Sequence, residues 1–228
     1  MLSIKELDQQ TKDVYNKTHP LNDNRLSNVK HNFIPGFAVP ELYELARSGQ
    51  TEVLRVLINK TMKLEHGNRA VIDRRCTVTG RTLLHEASIN GHKQTIDMLC
   101  HEFKAVVDCK TLMGADTPLH LAASRNRRQI CFTLLCSYKA DPDARNKHGF
   151  TPVHYAAMYG GASTVKTLIT YGGKARAITK DGRTAANLAF ERGAGDPVVE
   201  QLIEFFTVTS RIDRAFVSSH LFAWSPFA

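Results

Sequence analysis

"TPLHLAASRNR", residues 117–127, sets a threonine and a proline ahead of a histidine and a run of small apolar residues. Threonine suits a helix N-cap, because its hydroxyl can accept from an N–H that the first turn leaves unpaired. Proline suits the next position, where no N–H is required. Leu119, Ala122 and Ala123 then fall on one helical face, and the alanines are small enough to let a second helix approach closely. For His120 the competing reading is chemistry, as a base or a metal ligand. One copy of the stretch cannot separate the two.

The chain holds four copies. Aligned on threonine they are "TLLHEASING" from Thr82, "TPLHLAASRN" from Thr117, "TPVHYAAMYG" from Thr151 and "TAANLAFERG" from Thr184, at offsets of 35, 34 and 33 residues. A glycine-containing turn precedes each ("TGRT", "MGADT", "HGFT", "DGRT"). A second apolar-periodic segment follows each ("KQTIDMLC", "RQICFTLLC", "STVKTLIT", "PVVEQLIEFF"). In these segments Ile96 and Leu99, or Val165, Leu168 and Ile169, sit at helical spacing. Self-similarity at this period means a solenoid, in which a unit buries its apolar face only against its neighbours.

The repeat resembles the ankyrin family, whose 33-residue period and TPLHxA phrase it shares. The resemblance covers residues 73–204 and reaches back, in worn form, to "PELYELARSGQTEVLRVLI" from Pro40. There Ala46, Gly49, Leu54, Leu57 and Ile58 persist while the TPLH phrase does not. It implies an all-α ankyrin-repeat solenoid of stacked helix-turn-helix units with short β-hairpin turns, over residues 40–204. Residues 1–39 form an N-terminal extension, where Ser3 with Glu6 and the spacing of Ile4, Leu7 and Val14 predict one amphipathic helix. Residues 205–228 form an aromatic C-terminal tail.

His85, His120 and His154 recur three residues after the threonine, where a ring nitrogen can reach back to the cap. In helices stacked roughly 10 Å apart they lie too far from one another to share a metal. They match the structural histidines of the ankyrin phrase, and no catalytic, cofactor-binding or metal-binding residue is expected. In the last copy Asn187 replaces the histidine and Ala185 the proline, as in an atypical terminal unit. "MGADT" is one residue longer than the other turns, which accounts for the 35-residue offset. The long stretch before Thr82 predicts a loop projecting around Lys63 to Ala70.

Hydrophobic content of 43% and charged content of 23% are those of an ordinary globular protein. No apolar run approaches a membrane span, and the N-terminus lacks the apolar stretch of a secretory signal. Five cysteines with no CxxC pair read as free thiols in a reducing compartment. The expected setting is therefore cytoplasmic, with nuclear, cytoskeletal or ciliary association left open. Net charge is +8, most of it in residues 40–204, which suits a protein partner with an acidic surface. Nucleic acid is not expected as a direct ligand, and the chain alone is expected to be a monomer. No P-loop, GxGxxG, HExxH or GxSxG occurs, so the chain is not expected to be an enzyme.

The resemblance further implies a concave face, built from turn tips and first helices, that meets a protein partner. Carried over to non-consensus positions, the candidates in the turns are Arg81, Asp116, Lys147, His148, Phe150 and Arg183. Those near the ends of first helices are Ile89, Arg125, Met158, Tyr159 and Arg192. Phe150, Met158 and Tyr159 form either a binding hot spot ringed by basic groups or a locally packed cluster. Arg125, Arg127 and Arg128 form either part of the site or a solvated helix end. The tail holds six of the chain's 18 aromatics, so it either caps the last repeat or docks into a partner through Trp224 and Phe227. The expected function is a non-catalytic adaptor or scaffold. The alternative is a structural subunit of a cytoskeletal, ciliary or ribonucleoprotein assembly, anchored by its terminal extensions.

Overall fold

The computed structural model describes residues 40–64, 70–76, 79–159 and 161–191. Within them run α1 (Pro40–Ser48), α2 (Thr51–Leu64), α3 (Ala70–Asp73), α4 (Leu83–Asn90) and α5 (Lys93–Asp97), which continues as a π turn over Met98–Glu102. Then follow α6 (Pro118–Ser124), α7 (Arg128–Cys136), α8 (Pro152–Met158), α9 (Ala162–Thr170) and α10 (Ala185–Glu191). Among the described residues the β-structure is a single antiparallel bridge between Ile178 and Thr184. The hairpin turns expected from sequence are present as closed turns without strands.

Each first helix starts where the threonine places it. Thr82, Thr117 and Thr151 are N-caps in extended conformation, and Pro118 and Pro152 occupy the first turn. Each helix is short, so its stability comes from packing rather than propensity. The first helices pack in sequence, α1 on α4, α4 on α6, α6 on α8 and α8 on α10. The second helices form a parallel row, α5 against α7 and α7 against α9, and each pairs with its own first helix. Ala46, Ala87, Ala122, Ala123, Ala156 and Ala157 are fully buried between the rows, where a larger side chain would push the helices apart. Leu54, Leu83, Leu119, Leu134, Val153 and Leu168 fill the continuous core between units.

The unequal offsets have two structural sources. The turns before Thr82 and Thr117 are closed by Cys76 N–H to Arg81 C=O and by Thr111 N–H to Asp116 C=O, each over six residues. Those before Thr151 and Thr184 are closed over five, by Asn146 to Phe150 and by Thr179 to Arg183. The long turn therefore explains one added residue, as the sequence predicts. A second lies at the exit of the second helix. Ala105 bonds back to Leu99 and Ala140 to Leu134, whereas Gly173 bonds back to Leu168 over one residue fewer. The residues before these donors, Lys104, Lys139 and Gly172, all have positive φ, of 53°, 56° and 103°. The 35-residue offset thus carries both insertions and the 34-residue offset only the second.

The projecting loop expected around Lys63 to Ala70 falls largely outside the described residues. Lys63 lies in the last turn of α2, and Ala70 opens α3, whose Val71 and Ile72 are buried. Residues 65–69 lie outside the described residues. The Tyr43 hydroxyl donates to the Arg74 carbonyl at 2.7 Å, fastening the segment after α3 to the worn first unit.

Candidate partner-binding face

The three histidines settle the question raised by residue type alone. Thr117 N–H donates to His120 Nδ1 at 3.2 Å, and the threonine hydroxyl accepts from the His120 backbone N–H, forming a capping box in which histidine stands for the usual glutamate. His120 Nε2 then donates to the Phe150 carbonyl of the next turn at 3.0 Å. His85 repeats both bonds, to Thr82 and to the Asp116 carbonyl, at 3.2 and 2.9 Å. His154 makes the cap bond at 3.1 Å, but its Nε2 faces the carbonyls of Ala177 and Arg183 without reaching hydrogen-bonding geometry. Burial holds all three rings below the ordinary imidazole range, His85 at about 4, so they are neutral at physiological pH. At His85 and His120, buried with both nitrogens engaged, no lone pair is left for a substrate or a metal; at His154 only Nδ1 is engaged.

Asn187 does half of this work. Its Oδ1 accepts from Thr184 N–H at 3.0 Å and lies 2.7 Å from the Thr184 hydroxyl. An amide is too short to reach a further repeat, which fits a unit at the end of the row.

The sequence-derived contact residues divide by exposure. Arg125, Lys147, His148 and Tyr159 are exposed, while Ile89, Phe150 and Met158 are half-buried. Several candidates are committed within the chain. Arg81 lies 3.6 Å from the buried Glu86 carboxylate, which Arg47 meets from the worn first unit at 3.3 Å. Asp116 accepts from Asn146 and from the Tyr155 hydroxyl at 2.8 and 3.0 Å. Arg183 pairs with Asp181 and Glu191, each at 3.1 Å. Arg192, Trp224 and Phe227 lie outside the described residues.

Of Arg125, Arg127 and Arg128, all exposed, two also bond to neighbouring repeats. Arg127 Nε donates to the Ile89 carbonyl at 3.4 Å, and Arg128 Nε to the Thr167 hydroxyl at 3.3 Å. Phe150 packs locally, its ring 5.9 Å from His154 and 5.8 Å from Tyr155. Tyr159 does not: it stacks on Tyr155 at 6.4 Å and is 48% exposed. Burial, and then the Asp116 charge, push the Tyr155 hydroxyl above its usual range, so it stays neutral, donating to Asp116 and accepting from the Asn146 amide at 3.2 Å. Tyr155 belongs to the face and was not singled out from sequence, because its position in the phrase is occupied elsewhere by the buried Glu86, Leu121 and Leu188. Leu112 and Met113 were also missed. They are 65% and 74% exposed in the turn before Thr117, and two apolar residues inside a glycine turn were the available signal.

Sequence profiles for ankyrin repeats match the chain twice, one of three copies over residues 119–213 and one of many copies over residues 42–100. The chain belongs to the ankyrin-repeat family. The worn first unit thereby falls within the repeats, since the second match begins at residue 42. No curated protein matches the chain. Ankyrin repeats generally mediate protein–protein interaction and are typically non-catalytic. Among the described residues no group of histidine, cysteine and acidic side chains could hold a metal, and no helix is long and apolar enough to cross a membrane. The buried thiols of Cys100, Cys109 and Cys131 are pushed up by desolvation to about 12, 11 and 12, which makes them poor nucleophiles.

Proposed function

We propose that this ankyrin stack is a non-catalytic adaptor or scaffold that holds a protein partner on its concave face. The observation that carries the reading is Tyr159, half-exposed and pre-oriented by stacking on Tyr155, with half-buried Met158 and Phe150 around it. A rigid aromatic with its rotamer already fixed loses little entropy on binding, which is how interface hot spots are built. Arg125, exposed in the preceding repeat, and Lys147, exposed in the turn that carries Phe150, suit a partner of acidic character. A cytoplasmic setting and a monomeric free state belong to the same reading, the first supported by five cysteines that form no disulfide.

The test uses Tyr159→Ala, which removes exposed surface and leaves the core intact. Affinity for a partner recovered by capture and identified by mass spectrometry should weaken by about 2 kcal/mol, with unchanged circular dichroism. Unaltered affinity would move the interface away from this face.

A further inference from the structure

The turns add a chemically distinct row to the concave face. Leu112, Lys147 and Lys180 donate their backbone N–H groups to the carbonyls of Gly80, Gly114 and His148 at 3.1, 2.8 and 3.1 Å, so successive turns lie side by side in register. Leu112 rests against Gly80 yet is 65% exposed, and Met113 beside it is 74% exposed. The equivalent positions in the next turn are Lys147 and His148, so this apolar pair opens directly onto charge. Lys110, Lys147 and Lys180 are exposed and form no ion pair among the described residues. Among the described residues Arg75 and Arg145 donate to the carbonyls of Lys110 and Ile178, at 2.8 and 3.0 Å, and meet no carboxylate. The neighbouring carboxylates are occupied, Asp116 by Asn146 and Tyr155 and Asp181 by Arg183.

We infer that this row takes an extended, acidic polypeptide segment, with an apolar side chain seated on Leu112 and Met113 and carboxylates facing Lys110, Lys147 and Lys180. The inference rests on the protein-binding reading and names the partner's chemistry. Unpaired cations held in register by the turn backbone attract a chain of opposite charge and set its direction of approach. The apolar pair selects polypeptide over nucleic acid, since it offers phosphates nothing and presents no aromatic ring to stack a base. Three turns at roughly 10 Å spacing match about six to nine residues of extended chain.

The full-length protein is screened against a displayed library of random peptides of about twelve residues, enough to overrun the row at ~3.3 Å per residue. Recovered peptides are then synthesised and titrated by fluorescence anisotropy. They should be rich in aspartate and glutamate around leucine or methionine. Leu112→Ser with Met113→Ser, and separately Lys147→Glu with Lys180→Glu, should each weaken them at least tenfold. These side chains are surface groups, and circular dichroism verifies each fold. Recovery of no peptide, of peptides without acidic excess, or of peptides indifferent to both variants overturns the inference. So does a single-stranded oligonucleotide that binds more tightly than the peptides. Peptides sensitive to Tyr159→Ala but not to the turn variants would overturn this row while leaving the protein-binding reading in place.

Discussion

At His120 the two ring nitrogens are bound in opposite directions, Nδ1 back to its own cap and Nε2 forward to the Phe150 carbonyl. The backward bond was legible in the sequence, because it depends only on a three-residue spacing. The forward bond was not, because it depends on how closely the next repeat stacks. His120→Asn should separate the two, since Asn187 shows that an amide can serve the cap alone. We expect His120→Asn to cost about 1–2 kcal/mol for the orphaned carbonyl, and His120→Ala about 2–4 kcal/mol once the cavity is added, both read from urea unfolding. Equal costs would mean that the cap bond is worth nothing, and no cost for His120→Asn would mean the same of the forward bond. The same burial fixes a pH dependence. His85 titrates near 6.5 when unfolded but at about 4 when folded, so protons bind the unfolded chain preferentially between those values. Stability is full above about pH 6.5 and falls as pH drops towards about 4, by on the order of 3 kcal/mol for this group. His85→Asn should flatten that slope in denaturant titrations at pH 7, 5.5 and 4.5; an unchanged slope would refute the assignment.

The second helices show where an element's length can be read and where it cannot. Their apolar spacing predicted Ile96, Leu99, Val165, Leu168 and Ile169 facing the stack; the first four are fully buried and Ile169 is half-buried against the core. Their exits were opaque, because an added residue before Ala105 or Ala140 leaves the helical pattern untouched and is absorbed by one left-handed residue. Where Gly172 takes that conformation at no steric cost, Lys104 and Lys139 take it with a Cβ. Lys139→Gly is therefore expected to stabilise the fold by about 0.5–1 kcal/mol, and Gly172→Ala to destabilise it by about 1 kcal/mol, measured as shifts in the denaturant midpoint at constant m. Opposite signs would show that these exits relax into another geometry. Length between phrases signals inserted chain but not where helices end within it: α2 runs on to Leu64 and α3 begins at Ala70 and buries Val71 and Ile72.

Across the whole molecule, the repeat row could be read directly, since four in-phase threonine phrases define both the stacking order and the face the turns share. The chemistry of that face was only partly readable. Whether a charged side chain points to solvent or to a neighbour depends on contacts 30 or more residues away, as with Arg47 on Glu86 or Asp116 holding Asn146 and Tyr155. Tyr159 and Lys147 remained on the surface, while Phe150 turned inward against His154. The central claim is that the concave face is where a protein partner sits. Its most direct test replaces Tyr159, or Gln129 and Lys166 on the second helices, with a benzophenone photo-crosslinking residue and irradiates each full-length protein in native extract. A covalent adduct with a partner polypeptide from position 159, and none from 129 or 166, is the expected result. Adducts from the second-helix positions alone would contradict the account.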